Sequence, residues 1–191
     1  MNWFNTSLML NVDEYISLVN MIKLTNDTLL YRATTHGFEA SAFHAKCDGK
    51  ENTITIIKTN GNYVFGGYTA AKWTSEDAYY KDSKAFIFSL RRTGISCHHK
   101  FMVKDAKYAI NASWRYGPIF GKSFLIRDKS DQNRGSVTVL GENYDYSHEI
   151  EDAKTFLAGS YDQMPLLVAL LYRPTIHGFE ALVHMLVLYF V

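Results

Sequence analysis

The sequence predicts an α+β chain built as an antiparallel β-sandwich flanked by short helices. Three observations carry that prediction. Beyond Asp48-Gly49 the apolar pattern changes from a helical spacing to alternation by two. Short β-branched and aromatic runs then succeed one another between loops rich in Gly, Asp, Ser and Lys. Aromatics form 15% of the 191 residues, with thirteen Tyr and twelve Phe, which suits strand faces where ring bodies pack and hydroxyls find a partner. Helical pieces concentrate early, so a doubly wound nucleotide-binding sheet does not fit.

The elements follow in order. Leu8, Val12, Tyr15, Val19 and Ile22 step by four and three, the spacing of one helix face, with Ser7 as the expected N-cap. Leu29 to Arg32 reads as a short strand, and Gly37 to Cys47 as a helix that ends at Asp48-Gly49. Thr53 to Ile57, the turn Asn60-Gly61-Asn62 and Tyr63 to Tyr68 form the clearest hairpin. Further strands are expected at Ala85 to Leu90, Phe101 to Val103, Tyr108 to Ala112, Phe124 to Arg127, Val137 to Leu140 and Phe156 to Tyr161.

Composition bounds the partners. The length suits one domain, and twenty basic against nineteen acidic residues leave a charge of +1, so no field attracts nucleic acid or an anionic membrane. Cys47 and Cys97 are too few for a disulfide scaffold, which points to reduced thiols in the cytoplasm. Met1 to Leu10 lacks the basic region of a secretory signal, so the sequons at Asn5, Asn26 and Asn111 are expected to be incidental. Met164 to Tyr172 and Ala181 to Val191 are apolar but short, and Arg173, His177 and Glu180 separate them, so membrane insertion is not expected.

The chain repeats itself. Leu30-Tyr-Arg-Ala-Thr-Thr-His-Gly-Phe-Glu-Ala40 recurs as Leu171-Tyr-Arg-Pro-Thr-Ile-His-Gly-Phe-Glu-Ala181, differing only at Ala33/Pro174 and Thr35/Ile176. The expectation is a tandem array whose second copy starts near Leu171 and is truncated or frame-shifted over the last ten residues.

Few constellations could carry chemistry. Gly117-Pro-Ile-Phe-Gly121-Lys-Ser123 departs from a phosphate-binding loop: the glycine spacing is short, Pro118 removes an amide donor, and a strand follows where a helix is needed. Cys97, His98 and His99 are borderline metal ligands, but neighbours in an extended segment face opposite ways. His36, His44 and Cys47 form a looser group, and no metal site is predicted. His44 and Cys47, three apart on a helix, are the candidates for a weak redox or hydrolytic activity. Gly66-Gly67 marks a bulge or a close approach within a strand. Tyr68, Trp73, Tyr79 and Tyr80 are partner-binding candidates, because large amphipathic rings on loops make anchors.

These residues form an ordered series. Leu30-Tyr-Arg with Gly37-Phe38, Phe43 to Lys50, Thr53 to Thr59, Val64 to Thr69, Trp73, Ala85 to Leu90, Tyr116 to Gly121 and Phe156 to Tyr161 resemble the TLDc domain over about Asn11 to Asp162. The resemblance implies a compact β-sandwich with flanking helices, protection against oxidative stress, and regulation of the vacuolar proton pump through a protein contact. It implies no reaction and no cofactor, so a non-enzymatic interaction module is expected. Lys46, Cys47, Asp48, Gly66, Gly67 and Gly121 match motif positions without thereby being catalytic. The expected organisation is a helical segment over 1–28, the domain over 29–162, and a divergent apolar tail with the partial second start over 163–191. Leu166 to Tyr172 is apolar without alternation, as a strand buried on both faces would be.

Overall fold

The computed structural model describes residues 10–22, 26–132, 135–146, 150, 152–159 and 166–175. In chain order these form helix α1 (Val12–Ile22), strand β1 (Asn26–Arg32), helices α2 (Ala33–His36) and α3 (Ala40–Cys47), and strands β2 (Thr53–Thr59) and β3 (Val64–Thr69). Then come β4 (Ala78–Tyr80), β5 (Phe86–Arg92), β6 (Ile95–Met102), β7 (Ile110–Ala112), β8 (Tyr116–Phe120), β9 (Phe124–Arg127), β10 (Val137–Thr138) and β11 (Leu166–Thr175). They make a six-stranded sheet, β1-β11-β2-β3-β5-β6, and a five-stranded sheet, β10-β9-β8-β7-β4. Every strand pairing is antiparallel, so the chain has the expected α+β sandwich.

The first sheet is covered on both sides. Its inner face sends Tyr31, Ile57, Phe65, Ile87 and Phe101 against Ile110, Phe120, Phe124 and Ile126 of the second sheet. On its outer face Ile54, Ile56, Val64, Tyr68, Phe86, Phe88 and Leu90 meet Leu18, Val19 and Ile22 of α1. This is why β2 and β3 are almost wholly buried and why their apolar runs barely alternate. The cap of α1 is Asn11, whose Oδ1 accepts from Glu14 N while Glu14 Oε2 accepts from Asn11 N, both at 2.9 Å. Ser7, the expected cap, lies outside the described residues. Glu14 is fully buried and receives both Nε and Nη2 of Arg91 at 2.6 Å, a fork that pins α1 to β5.

The expected hairpin is present, with Thr53 opposite Thr69 and Lys58 opposite Val64. Asn62 closes the turn by donating to Thr59 O at 3.1 Å, with φ +59°. The expected Gly37 to Cys47 helix starts three residues late: a separate short helix α2 ends at His36, Gly37 takes φ +103°, and α3 runs from Ala40 to Cys47. Strand β6 starts at Ile95, six residues before the expected Phe101, because its polar, exposed edge carries no apolar alternation. Strand β8 was hidden by Pro118, which sits where the register shifts between Tyr116 and Ile119 and so needs no ladder donor.

Phe156 to Gly159 turns instead of forming the expected strand: Phe156 N donates to Asp152 O at 3.0 Å and Gly159 N to Thr155 O at 2.7 Å. Three consecutive buried residues, Phe156, Leu157 and Ala158, gave a strand-like pattern to a helical-type turn. Tyr161 lies outside the described residues, as does the recurrent segment beyond Thr175. Strand β11 runs between β1 and β2. It brings the repeated Leu-Tyr-Arg segments side by side in antiparallel register, with Leu29 opposite Tyr172 and Tyr31 opposite Leu171.

Candidate functional site

One corner of the sandwich gathers most of the sequence candidates. Helix α3 is fastened at its start by Asp128, whose Oδ1 accepts from Ala40 N at 2.8 Å. That anchoring drives Phe43 inward, where it meets the edges of Tyr31, His44 and Trp73 at centroid distances of 5.7, 5.1 and 5.4 Å. His44, the next residue, reaches the turn of the second sheet, and Cys47, one helical turn on, enters the core.

His44 is a clasp. Its Nδ1 lies 2.7 Å from Asp48 Oδ1, and its Nε2 lies 2.9 Å from the carbonyl oxygens of both Ser113 and Tyr116. Carbonyl oxygens only accept, so Nε2 donates to the turn joining β7 to β8. Tyr116 N closes that turn onto Ser113 O at 3.0 Å. Asp48 Oδ2 accepts in turn from Ser75 Oγ at 2.5 Å. Ser75 therefore sits on the carboxylate, and neither ring nitrogen is left to face a substrate.

Cys47 is fully buried, and burial pushes its thiol up, with Asp48 adding and Lys50 opposing. No bond joins it to His44 among the described residues. Lys46 is exposed on the helix, and Asp48 ends it. Gly49 follows at φ +78°, donating to Trp73 O at 2.9 Å.

The glycines of the motif blocks make room for packing. A Cβ at Gly66 would lie 1.9 Å from Thr55 O, and one at Gly67 would lie 2.5 Å from the Phe120 ring. Gly121 combines φ +52° with Asn143 and Tyr108 O within 2.9 Å of a Cβ.

The four aromatic candidates separate by burial. Trp73 has no exposed surface, its Nε1 donating to Thr53 Oγ1 at 2.8 Å. Tyr68 is buried on the outer face, stacked on Phe86 at 5.3 Å, with its hydroxyl 3.2 Å from Asn52 Oδ1. Tyr80 is half-buried, its hydroxyl between Thr74 Oγ1 at 2.8 Å and Glu76 Oε2 at 2.5 Å. Tyr79 is 47% exposed and packs edge-on against Tyr108 at 5.1 Å.

Sequence reasoning passed over Trp114. It is 57% exposed on the turn that His44 holds, with the Arg115 guanidinium 5.2 Å from its ring centroid. The available signal was a Trp-Arg pair between strand runs, where a core tryptophan has nowhere to go. Ala78 pairs with Ala112 and Tyr79 with Asn111, so β4 brings Tyr79 to the same corner as this turn. Among the described residues no cluster of His, Cys, Asp and Glu could hold a metal ion, and no helix is long and apolar enough to cross a membrane.

The comparisons with known proteins converge. The TLDc domain profile matches residues 4–180, extending past both ends of the stretch delimited by the motifs. The chain is similar to the GTPase-activating protein skywalker of Drosophila melanogaster, 31% identical over 78 residues, covering 36% of this chain and 13% of that protein. It is similar to the MTOR-associated protein MEAK7 of Danio rerio, 26% identical over 62 residues, which cover 32% of this chain and 14% of that protein. TBC1 domain family member 24 of Xenopus tropicalis is 28% identical over 74 residues, or 36% of this chain and 13% of its own. The matched segments thus span a small part of each relative. With two packed antiparallel sheets and a profile match along nearly its whole length, the chain belongs to the TLDc family.

Proposed function

We propose that the chain is a non-enzymatic interaction module acting in the cytoplasm. Its docking corner is formed by the Trp114-Arg115 turn with Tyr79. The observation that carries this reading is an inversion of roles at that corner. The thiol and imidazole at that corner are consumed in structure, Cys47 as core and His44 as a clasp, while Trp114 stands exposed on a turn braced from within. A rigid Trp beside an Arg loses little freedom on binding and offers both apolar area and charge, the usual make-up of an interface hot spot. The relatives point the same way at a coarser level, since their names describe GTPase-activating and mTOR-associated proteins.

The partner proposed is the vacuolar proton pump, with oxidative-stress protection as the physiological output; the family resemblance supports both. The test is co-sedimentation of the full chain with the purified pump. Trp114→Ala is expected to weaken binding by at least about tenfold while leaving thermal unfolding unchanged. Equal co-sedimentation of the folded variant would remove the docking corner from the account.

A further inference from the structure

Strand β6 forms one edge of the six-stranded sheet and holds the second cysteine. Cys97 and His99, two residues apart on that strand, come into contact beside the shift of register in the β5–β6 ladder. The Cys97 Sγ lies 3.3 Å from His99 Nδ1. The imidazole is fixed by two rings: it stacks on Phe101 with centroids 6.0 Å apart and planes at 7°, and it meets Phe156 edge-on at 5.3 Å.

Arg92 completes one side. Its Nε donates to Phe156 O at 3.1 Å, its guanidinium lies 4.2 Å over the Phe156 ring, and it is the charged group that acts on the Cys97 sulfur. Ser89 closes the floor, opposite His99 in the β5–β6 ladder. It is fully buried, its Oγ finds no partner of ordinary hydrogen-bond geometry, and it faces the same sulfur. Cys97 is partly exposed and His99 is exposed, so a small molecule can reach the pair from solvent.

The parts have complementary chemistry. A thiol needs a base to become a nucleophile, and burial holds this thiol up, an effect that the Arg92 charge opposes. A neighbouring imidazole can take the proton when a reaction partner arrives. A guanidinium beside the sulfur favours anionic reactants over neutral ones. We infer that Cys97 is a thiol–disulfide exchange site for small anionic disulfides, with His99 as proton acceptor and Arg92 as the anion-attracting group.

The step balances. His99 Nδ1 takes the S–H proton, and the Cys97 thiolate attacks one sulfur of the disulfide. The new S–S bond forms as the old one breaks, and the departing thiolate recovers the proton from the imidazolium. Cys97 is oxidised to a mixed disulfide, the departing sulfur is reduced to a thiol, and excess small thiol reverses the exchange. The docking corner plays no part, so the two readings stand or fall separately.

The experiment treats the full chain with oxidised glutathione, which is anionic, or with bis(2-hydroxyethyl) disulfide, which is neutral, and follows intact mass and peptide maps. A single adduct on Cys97 is expected, with Cys47 unmodified. The anionic reagent should react several-fold faster, and added salt should narrow that difference. H99A, and H99Q should the first variant lose its fold, is expected to slow the exchange several-fold, while H98A keeps the wild-type rate. Comparable modification of Cys47, equal rates for the two reagents, or a wild-type rate in a folded His99 variant would overturn the inference.

Discussion

At the scale of single residues, the two thiols of the chain have opposite environments. Cys47 lies in the core between α3 and the sheets, whereas Cys97 lies at a sheet edge with a base and a cation beside it. Their positions in the sequence hinted at this only in part: Cys97 and His99 stand two apart on one strand, but nothing local showed that Phe101 and Phe156 would hold His99. His44 is a more demanding case. Two of its three polar contacts cross from a helix to a turn some seventy residues away, a relation that no local pattern encodes. His44→Ala is expected to cost about 1–3 kcal/mol in urea unfolding, because the Ser113 and Tyr116 carbonyls each lose the ring N–H that ties their turn to α3. Gly66→Ala is expected to cost about 3 kcal/mol or to prevent folding, since its Cβ would meet the Thr55 backbone at 1.9 Å.

Asp152 provides a pH-dependent prediction at the same scale. The Thr155 hydroxyl at 2.6 Å, helped by the Lys154 and Thr155 amides, holds this carboxyl below its ordinary value. A lowered folded value means that the turn gains support above the unfolded value and loses it as pH falls through the folded one. Thr155→Val should move the Asp152 titration upward in an NMR pH series.

At the scale of elements, the strands with β-branched runs and a tight turn were legible, and those without an apolar signal were not. Strands β2 and β3 announce themselves through Thr53 to Ile57 and Asn60-Gly61-Asn62. Strand β6 carries Ser, His and Lys because it is an edge, and β8 is masked by Gly117-Pro118 at a register shift. The apolar spacing of α1 was legible, but its anchor was not. Glu14 looks like a surface residue in sequence, yet it is fully buried against Arg91. Arg91→Met would leave that carboxylate without its forked partner and is expected to cost about 3–5 kcal/mol in denaturant unfolding. Strand β11 has a similar structural weight. Removing residues 166–191 would strip the strand between β1 and β2 and open the sheet, so the shortened chain is expected to lose cooperative unfolding and to aggregate in size-exclusion chromatography.

At the scale of the molecule, the sandwich separates rigidity from display. Its core holds His44 and Cys47, while a turn presents Trp114 and Arg115 and strand β4 presents Tyr79. The overall architecture was readable because alternating strand runs follow one another after Asp48-Gly49, in agreement with the ordered family blocks. The proposed docking corner was only half readable: the Tyr79-Tyr80 pair stood out, but Trp73 is core and the exposed ring lies on a turn some forty residues later. Electrostatic attraction is a minor part of this picture, since the net charge is +1.

The most direct measurement compares Trp114→Ala with Cys47→Ala in binding to the purified vacuolar proton pump, each variant first shown to unfold cooperatively. Cys47→Ala is expected to bind as the unaltered chain does, and Trp114→Ala to bind at least about tenfold more weakly. Binding that survives the loss of Trp114 and fails with the loss of Cys47 would contradict that expectation.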